Sequence, residues 1–158
     1  RHLALLVQVP GVALEARVTA EKGSPLDAAE DAILAQRIAV ARAWLADFAP
    51  DRYRVEVRED GLPAEADKLD AEQHAYLLAL AEAAAAERPA TGDAWQDLIF
   101  RTAQAAGVPS GWAFAALYTA FLGRANGPRA GWLLASLDAA FVNARLRDAG
   151  APAAAVRP

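Results

Sequence analysis

Apolar residues recur at three- and four-residue steps through most of the chain, the period of helices that bury one face. "RHLALLVQV" at residues 1–9 predicts a short helix stopped near Pro10 and Gly11, and residues 12–22 predict a second, ended by Gly23. Ser24 then stands as a cap and Pro25 as the opening of a long helix, because proline's missing N–H costs nothing in a first turn. The apolar positions Leu26, Ala29, Ile33, Ile38, Ala41, Trp44, Leu45 and Phe48 give that helix the best amphipathic pattern in the sequence, and Pro50 closes it. "RYRVEVRED" at residues 52–60 breaks the rhythm. Tyr53, Val55 and Val57 alternate with charges, a period of two, but no partner strand is evident, so an extended connection is expected.

Beyond an acidic loop through Gly61 and Pro63, Asp70 and Gln73 stand three apart as an approximate capping box. The helix they open runs to about Glu87, with Tyr76, Leu77 and Leu80 on its buried face. Pro89 and Gly92 in "ERPATGD" then interrupt the pattern. Residues 93–106 predict a helix carrying Trp95, Leu98, Ile99 and Ala103 and closed by Gly107; Pro109 and Ser110 start another, with Phe114, Leu117, Tyr118, Phe121 and Leu122 on one dense face. A short helix around residues 132–135 and a last one over 138–148 complete an all-α chain. The expected organisation is a helical bundle over residues 1–88, a second helical subdomain over 91–149 and a flexible tail over 150–158.

Composition narrows the chemistry. The chain has no cysteine, which excludes disulfides, thiolate metal sites and a cysteine nucleophile. No run approaches the roughly 18 uninterrupted apolar residues of a membrane span, and nothing at the start resembles a signal peptide, so a cytoplasmic protein without membrane contact is expected. The absence of methionine and a start at Arg1 fit a piece excised from a longer chain. The net charge of −4 conceals a division: residues 1–100 hold ten Lys/Arg against eighteen Asp/Glu, whereas residues 101–158 hold six Arg against Asp138 and Asp148 alone. A basic half of this kind can meet an anion such as nucleic acid.

No set of residues composes an active site. His2 and His74 stand far apart without acids at ligand spacing, and Lys22 and Lys68 have no phosphate loop, so neither a metal centre nor a catalytic group is expected. Binding remains. "FLGRANGPRAGW" at residues 121–132 packs three glycines, a proline, two arginines and an asparagine between two apolar helices. Gly123 can end a helix in the left-handed conformation, Gly127 permits a second unusual turn, and Pro128 can open the next helix. The amides beside Arg129, Ala130 and Gly131 would then face outward at a helix start, where the dipole favours anions. Arg124 and Arg129 flank that spot as phosphate forks or stacking planes, Asn126 adds an amide, and Trp132 reads either as core or as a stacking surface. Together these suit single-stranded RNA.

"AFAALYTAFLGRANGPRAGWLLASLDAAFVNARL" at residues 113–146 resembles the carboxy-terminal end of class I lysyl-tRNA synthetases, in which an aromatic-rich helix leads into a glycine-proline-arginine segment and a helix closing in arginine-leucine. "QRIAVARAWLADFAP" at residues 36–50 and "LDAEQHAYLLALAE" at residues 69–82 are similar to the family's preceding helices in the same order. The resemblance implies the helical anticodon-binding fold of the class I glutamyl- and lysyl-tRNA synthetases. It also implies a non-catalytic part that holds the anticodon stem-loop of lysine tRNA, with ATP and lysine bound by a catalytic domain elsewhere in the parent chain and no cofactor in this part. By that likeness Gly123, Gly127, Pro128, Arg129 and Gly131 match the motif, and Arg124 stands where lysine is common. Arg124, Arg129 and Arg145 would contact phosphates or bases, and Asn126, Trp132 and Trp112 would contact bases. The partners implied are tRNA and the parent's catalytic domain, with neither DNA nor a membrane. A helical protein-interaction module, or a stand-alone paralogue of this domain, is the competing expectation.

Overall fold

The computed structural model describes residues 2–8, 14–50 and 54–151, and every regular element among them is helical. In chain order these are α1 (His2–Leu6), α2 (Leu14–Lys22), α3 (Ala28–Asp47), a 3-10 turn (Ala64–Lys68), α4 (Ala71–Glu87), α5 (Gly92–Ala105), α6 (Ser110–Leu122), α7 (Ala130–Ser136) and α8 (Ala139–Gly150). The all-α expectation holds. No single described helix is long and apolar enough to cross a membrane. Of the expected tail, residues 152–158 lie outside the described residues, and Gly150 still belongs to α8.

Contacts divide the chain into two units, Arg1–Glu56 and Val57–Pro158. The turn at Pro89, expected to separate two subdomains, lies inside the second unit, because α4 packs against α8, α5 and α6.

In the first unit α1 packs on α3, and the Val55 amide donates to Gln8 Oε1 at 2.7 Å, tying the chain after α3 back to α1. α3 begins later than Ser24 and Pro25 suggest. Its cap is Asp27, whose carboxylate accepts from the Ala29 and Glu30 amides at 2.9 Å while the Asp27 amide donates to Glu30 Oε2 at 2.9 Å. This reciprocal box satisfies donors of the first turn and fixes where the helix can start. A hydrogen bond from Lys22, followed by that from the Asp27 amide, holds the Glu30 carboxyl below its ordinary range. α3 is also less one-sided than its pattern promises: Leu34 and Leu45 are buried, but Ile33, Val40, Trp44 and Phe48 are exposed. At 3.6 residues per turn those four form a second apolar stripe beside the buried one, so spacing alone could not choose the inward face.

Val55, near the end of the first unit, and Val57, which opens the second, are both buried while Glu56 and Arg58 are exposed, as the alternating pattern expects; Tyr53 lies outside the described residues. The Arg58 amide donates to the Phe121 carbonyl at 2.9 Å. Asp70 and Gln73 cap α4 reciprocally, with Gln73 N donating to Asp70 Oδ1 at 2.8 Å. Tyr76, Leu77, Leu80 and Ala81 of α4 are wholly buried; each leucine contributes about 1.5–3 kcal/mol through removal from water.

α8 runs antiparallel to α4. Asn143 Nδ2 donates to the Ala81 carbonyl at 2.9 Å, and His74 Nδ1 meets the Ala149 carbonyl at 2.6 Å, so rising numbers on α8 pair with falling numbers on α4. The two backbones touch at Gly150, where a Cβ would lie 2.7 Å from the Leu78 nitrogen. Gly150→Ala must therefore push α8 off α4, and a loss of about 1–3 kcal/mol in urea unfolding is expected; unchanged stability would mean that the approach is looser than described.

Candidate functional site

The segment between α6 and α7 is held from both sides. α6 ends at Gly123, which takes φ +66°, and its N–H donates to the Thr119 carbonyl at 3.1 Å. Gly127 serves a different purpose from the unusual turn expected of it. It has no positive φ; instead a Cβ there would lie 2.7 Å from the Tyr118 ring and 2.8 Å from Leu122, so only glycine lets the loop lie flat on α6. The Tyr118 hydroxyl then donates to the Pro128 carbonyl at 2.5 Å. Burial raises the Tyr118 pKa above the usual phenol value, and the Ala130 amide on its oxygen opposes that rise.

Pro128 does not open α7. The helix starts at Ala130 with Arg129 as its cap residue, and its approach to α5 is too close for any side chain at Gly131. A Cβ on Gly131 would lie 2.2 Å from the Gly92 carbonyl oxygen, and one on Gly92 would lie 2.7 Å from the Trp132 indole. The Gly131 N–H donates to Gln96 Oε1 at 3.0 Å, and Ala130 and Gly131 are buried. The outward anion site expected at Arg129, Ala130 and Gly131 is therefore not formed: the Gly131 amide is taken by Gln96, and Ala130 is buried.

The remaining expected residues separate into those at the loop and those away from it. Asn126 and Arg129 are exposed, and Arg124 is half-buried at the start of the loop. Arg129 lies 3.6 Å from Asp93, with both side chains more than half exposed, a pairing worth little in water. Trp132 packs its ring against Gly92, which makes it a helix–helix contact rather than an open stacking face. Trp112 is exposed, but it sits in the first turn of α6, about ten residues and so roughly 15 Å from the loop.

Arg145 is corrected outright. It is 3% exposed, donates from Nη1 to the Ala120 carbonyl at 3.0 Å and from Nη2 to the Arg58 carbonyl, and lies 5.0 Å from the Phe141 ring centroid. Burial lowers its pKa, with Asp148 opposing. Its position was legible: Val142, Arg145, Leu146 and Ala149 occupy one helical stripe, and all four are buried. A lone arginine on such a stripe ties carbonyls together rather than meeting an outside anion.

One feature sharpens the charge division read from the sequence, and one escaped that reading. No carboxylate occurs from residue 98 to residue 137, a stretch with Arg101, Arg124 and Arg129 that includes the whole loop. Phe100, out of phase with the buried Trp95, Leu98, Ile99 and Ala103 of α5, stands 45% exposed beside Phe114. Among the described residues no group of three His, Cys, Asp or Glu side chains gathers into a metal-holding cluster.

Residues 38–150 match the family described as the anticodon binding domain, well over half of the chain and all of this loop. The chain belongs to the anticodon-binding-domain family. It is also similar to three lysine–tRNA ligases: that of Thermococcus kodakarensis (34% identical over 152 residues, 93% of this chain and 28% of the relative), that of Pyrococcus horikoshii (31% over 152, 93% and 28%) and that of Archaeoglobus fulgidus (29% over 151, 94% and 29%). The chain thus spans under a third of the length of these relatives. Within this anticodon-binding-domain fold, Arg145 belongs to the scaffold. Arg145→Met, which keeps the volume and removes the donors, is expected to cost about 2 kcal/mol or more in denaturant unfolding by stranding two inward carbonyls; an unchanged midpoint would return Arg145 to the surface.

Proposed function

We propose that this chain binds the anticodon stem-loop of lysine tRNA as the anticodon-binding part of a class I lysine–tRNA ligase. The observation that carries the proposal is the loop at residues 123–129: a backbone clamped onto α6 that leaves Arg129 and Asn126 at the surface, inside a 40-residue stretch without a carboxylate. The family match and the likeness to lysine–tRNA ligases support the same reading. Arg129 serves a phosphate as a two-pronged donor, exchanging its exposed Asp93 partner for a stronger anion. Arg124 adds a second cation, and Asn126 offers both a donor and an acceptor to a base edge.

In the parent enzyme, a catalytic domain outside these residues binds ATP and lysine and joins the amino acid to tRNA through a lysyl-adenylate. The exposed stripe of Ile33, Val40, Trp44 and Phe48 on α3 suits the first unit to docking on that catalytic body. This apolar surface is also what favours the second reading, a protein-interaction module that has lost RNA binding.

Arg129→Ala should weaken binding of a lysine-tRNA anticodon stem-loop about tenfold at low salt, with helix content unchanged. It should also make the slope of log affinity against log salt shallower by roughly 0.7–0.9. Arg88→Ala, exposed and outside the basic half of the chain, is the control and should bind normally. Filter binding at two salt concentrations, with an unrelated tRNA for comparison, reads both effects. Equal affinity of Arg129→Ala and the unsubstituted chain would overturn the role given to the loop, and no RNA binding at all would favour the interaction module.

A further inference from the structure

The loop is bordered by aromatic rings that the proposal above leaves unused. On α5, Asp93 meets Arg129 at 3.6 Å and the Gln96 side chain meets the Gly131 amide at 3.0 Å. Phe100 follows at the spacing that keeps it on the same side of the helix, since positions 93, 96 and 100 are three and then four apart. Seven residues of helix place the Phe100 backbone about 10 Å from that of Asp93. On α6, Phe114 receives Phe100 edge-on at 5.3 Å and stacks with Tyr118 at 6.4 Å, and Tyr118 bonds Pro128 in the loop. The rings therefore form a ridge that starts at an exposed phenylalanine and ends beneath the basic loop.

Its electrostatic setting favours an anionic partner. α6 has no charged residue, and Asp97, the acid one turn before Phe100, is held by Arg101 at 2.7 Å. An exposed phenyl ring, one or two nucleotides from a surface guanidinium, offers what a splayed base needs: a planar apolar face within reach of a phosphate holder. A purely apolar partner surface would gain the same contact but offer no counterpart for the cations.

We infer that Phe100 is a stacking platform for an unpaired base of the RNA loop whose phosphates are held at Arg124 and Arg129. Phe114 is its positioning residue: held against Tyr118, it fixes the Phe100 ring edge-on. This inference rests on the RNA-binding reading and assigns it a contact on α5.

The test uses the full 158-residue chain and anticodon stem-loop RNAs carrying 2-aminopurine singly at each loop position. At one position, stacking on Phe100 should quench the fluorophore when the chain is added. Phe100→Leu, a change at an exposed site that keeps apolar volume, should abolish that quench and weaken binding at least about fivefold while leaving the salt slope unchanged. Phe100→Tyr should restore both. Unaltered affinity and quenching in Phe100→Leu, with Arg129→Ala still weakened, would overturn the platform and leave the RNA-binding reading standing. If the unsubstituted chain fails to bind the RNA at low salt, that reading fails and takes the platform with it.

Discussion

The arrangement of the site depends on backbones packed closer than any side chain would permit. Gly131 of α7 sits so near the Gly92 carbonyl that a methyl group would penetrate it, and Gly127 lies directly on the Tyr118 ring. These two contacts, with the Tyr118–Pro128 hydrogen bond between them, press the connection between α6 and α7 flat against its neighbours. A loop rich in glycine would otherwise be mobile, and mobile side chains lose entropy when they bind. Here the glycines work the other way: they permit close packing, and the packing holds the intervening residues in place.

The same packing decides which polar groups face outward. The start of α7, which resembles an anion cradle in one dimension, is turned inward: the Gly131 amide goes to Gln96, and Ala130 and Gly131 are buried. Arg145, equally basic in sequence, is drawn inside to bind the Ala120 and Arg58 carbonyls. Recognition is then left to side chains rather than to the backbone: Arg129 and Asn126 at the surface, Arg124 at the loop's start, and the exposed ring of Phe100 on the adjacent helix. Side-chain cations on a fixed loop suit the sequence-independent phosphate contacts that position an RNA, and a planar ring suits a base without specifying it.

How much of this could be read from the amino acids varied with the range of the interaction involved. Asp70 with Gln73, and Gly123 as a left-handed stop, act within one helical turn, and both were legible. The start of α3 was misplaced because proline's preference for a first turn was weighed above the Asp27–Glu30 box, itself a visible local signal. Facing was harder. α3 carries apolar residues on two adjacent stripes, so its spacing fits more than one orientation, whereas the single stripe of α8 would have shown Arg145 to be internal. Gly127 and Gly131 looked like turn residues, and their actual purpose lies in contacts 5–39 residues away that no local pattern encodes. Phe100 lay in plain view as an aromatic out of phase with its helix, but its significance needed Phe114 and the loop beside it.

The most direct measurement of where RNA sits is a titration of lysine-tRNA anticodon stem-loop into the isotopically labelled chain, followed by amide and aromatic NMR shifts. Perturbations should concentrate at residues 123–131 and at the Phe100 ring, with Arg145 and the helices α1 and α2 unaffected. Shifts concentrated on α3, or a spectrum indifferent to the RNA, would contradict the assignment of this loop.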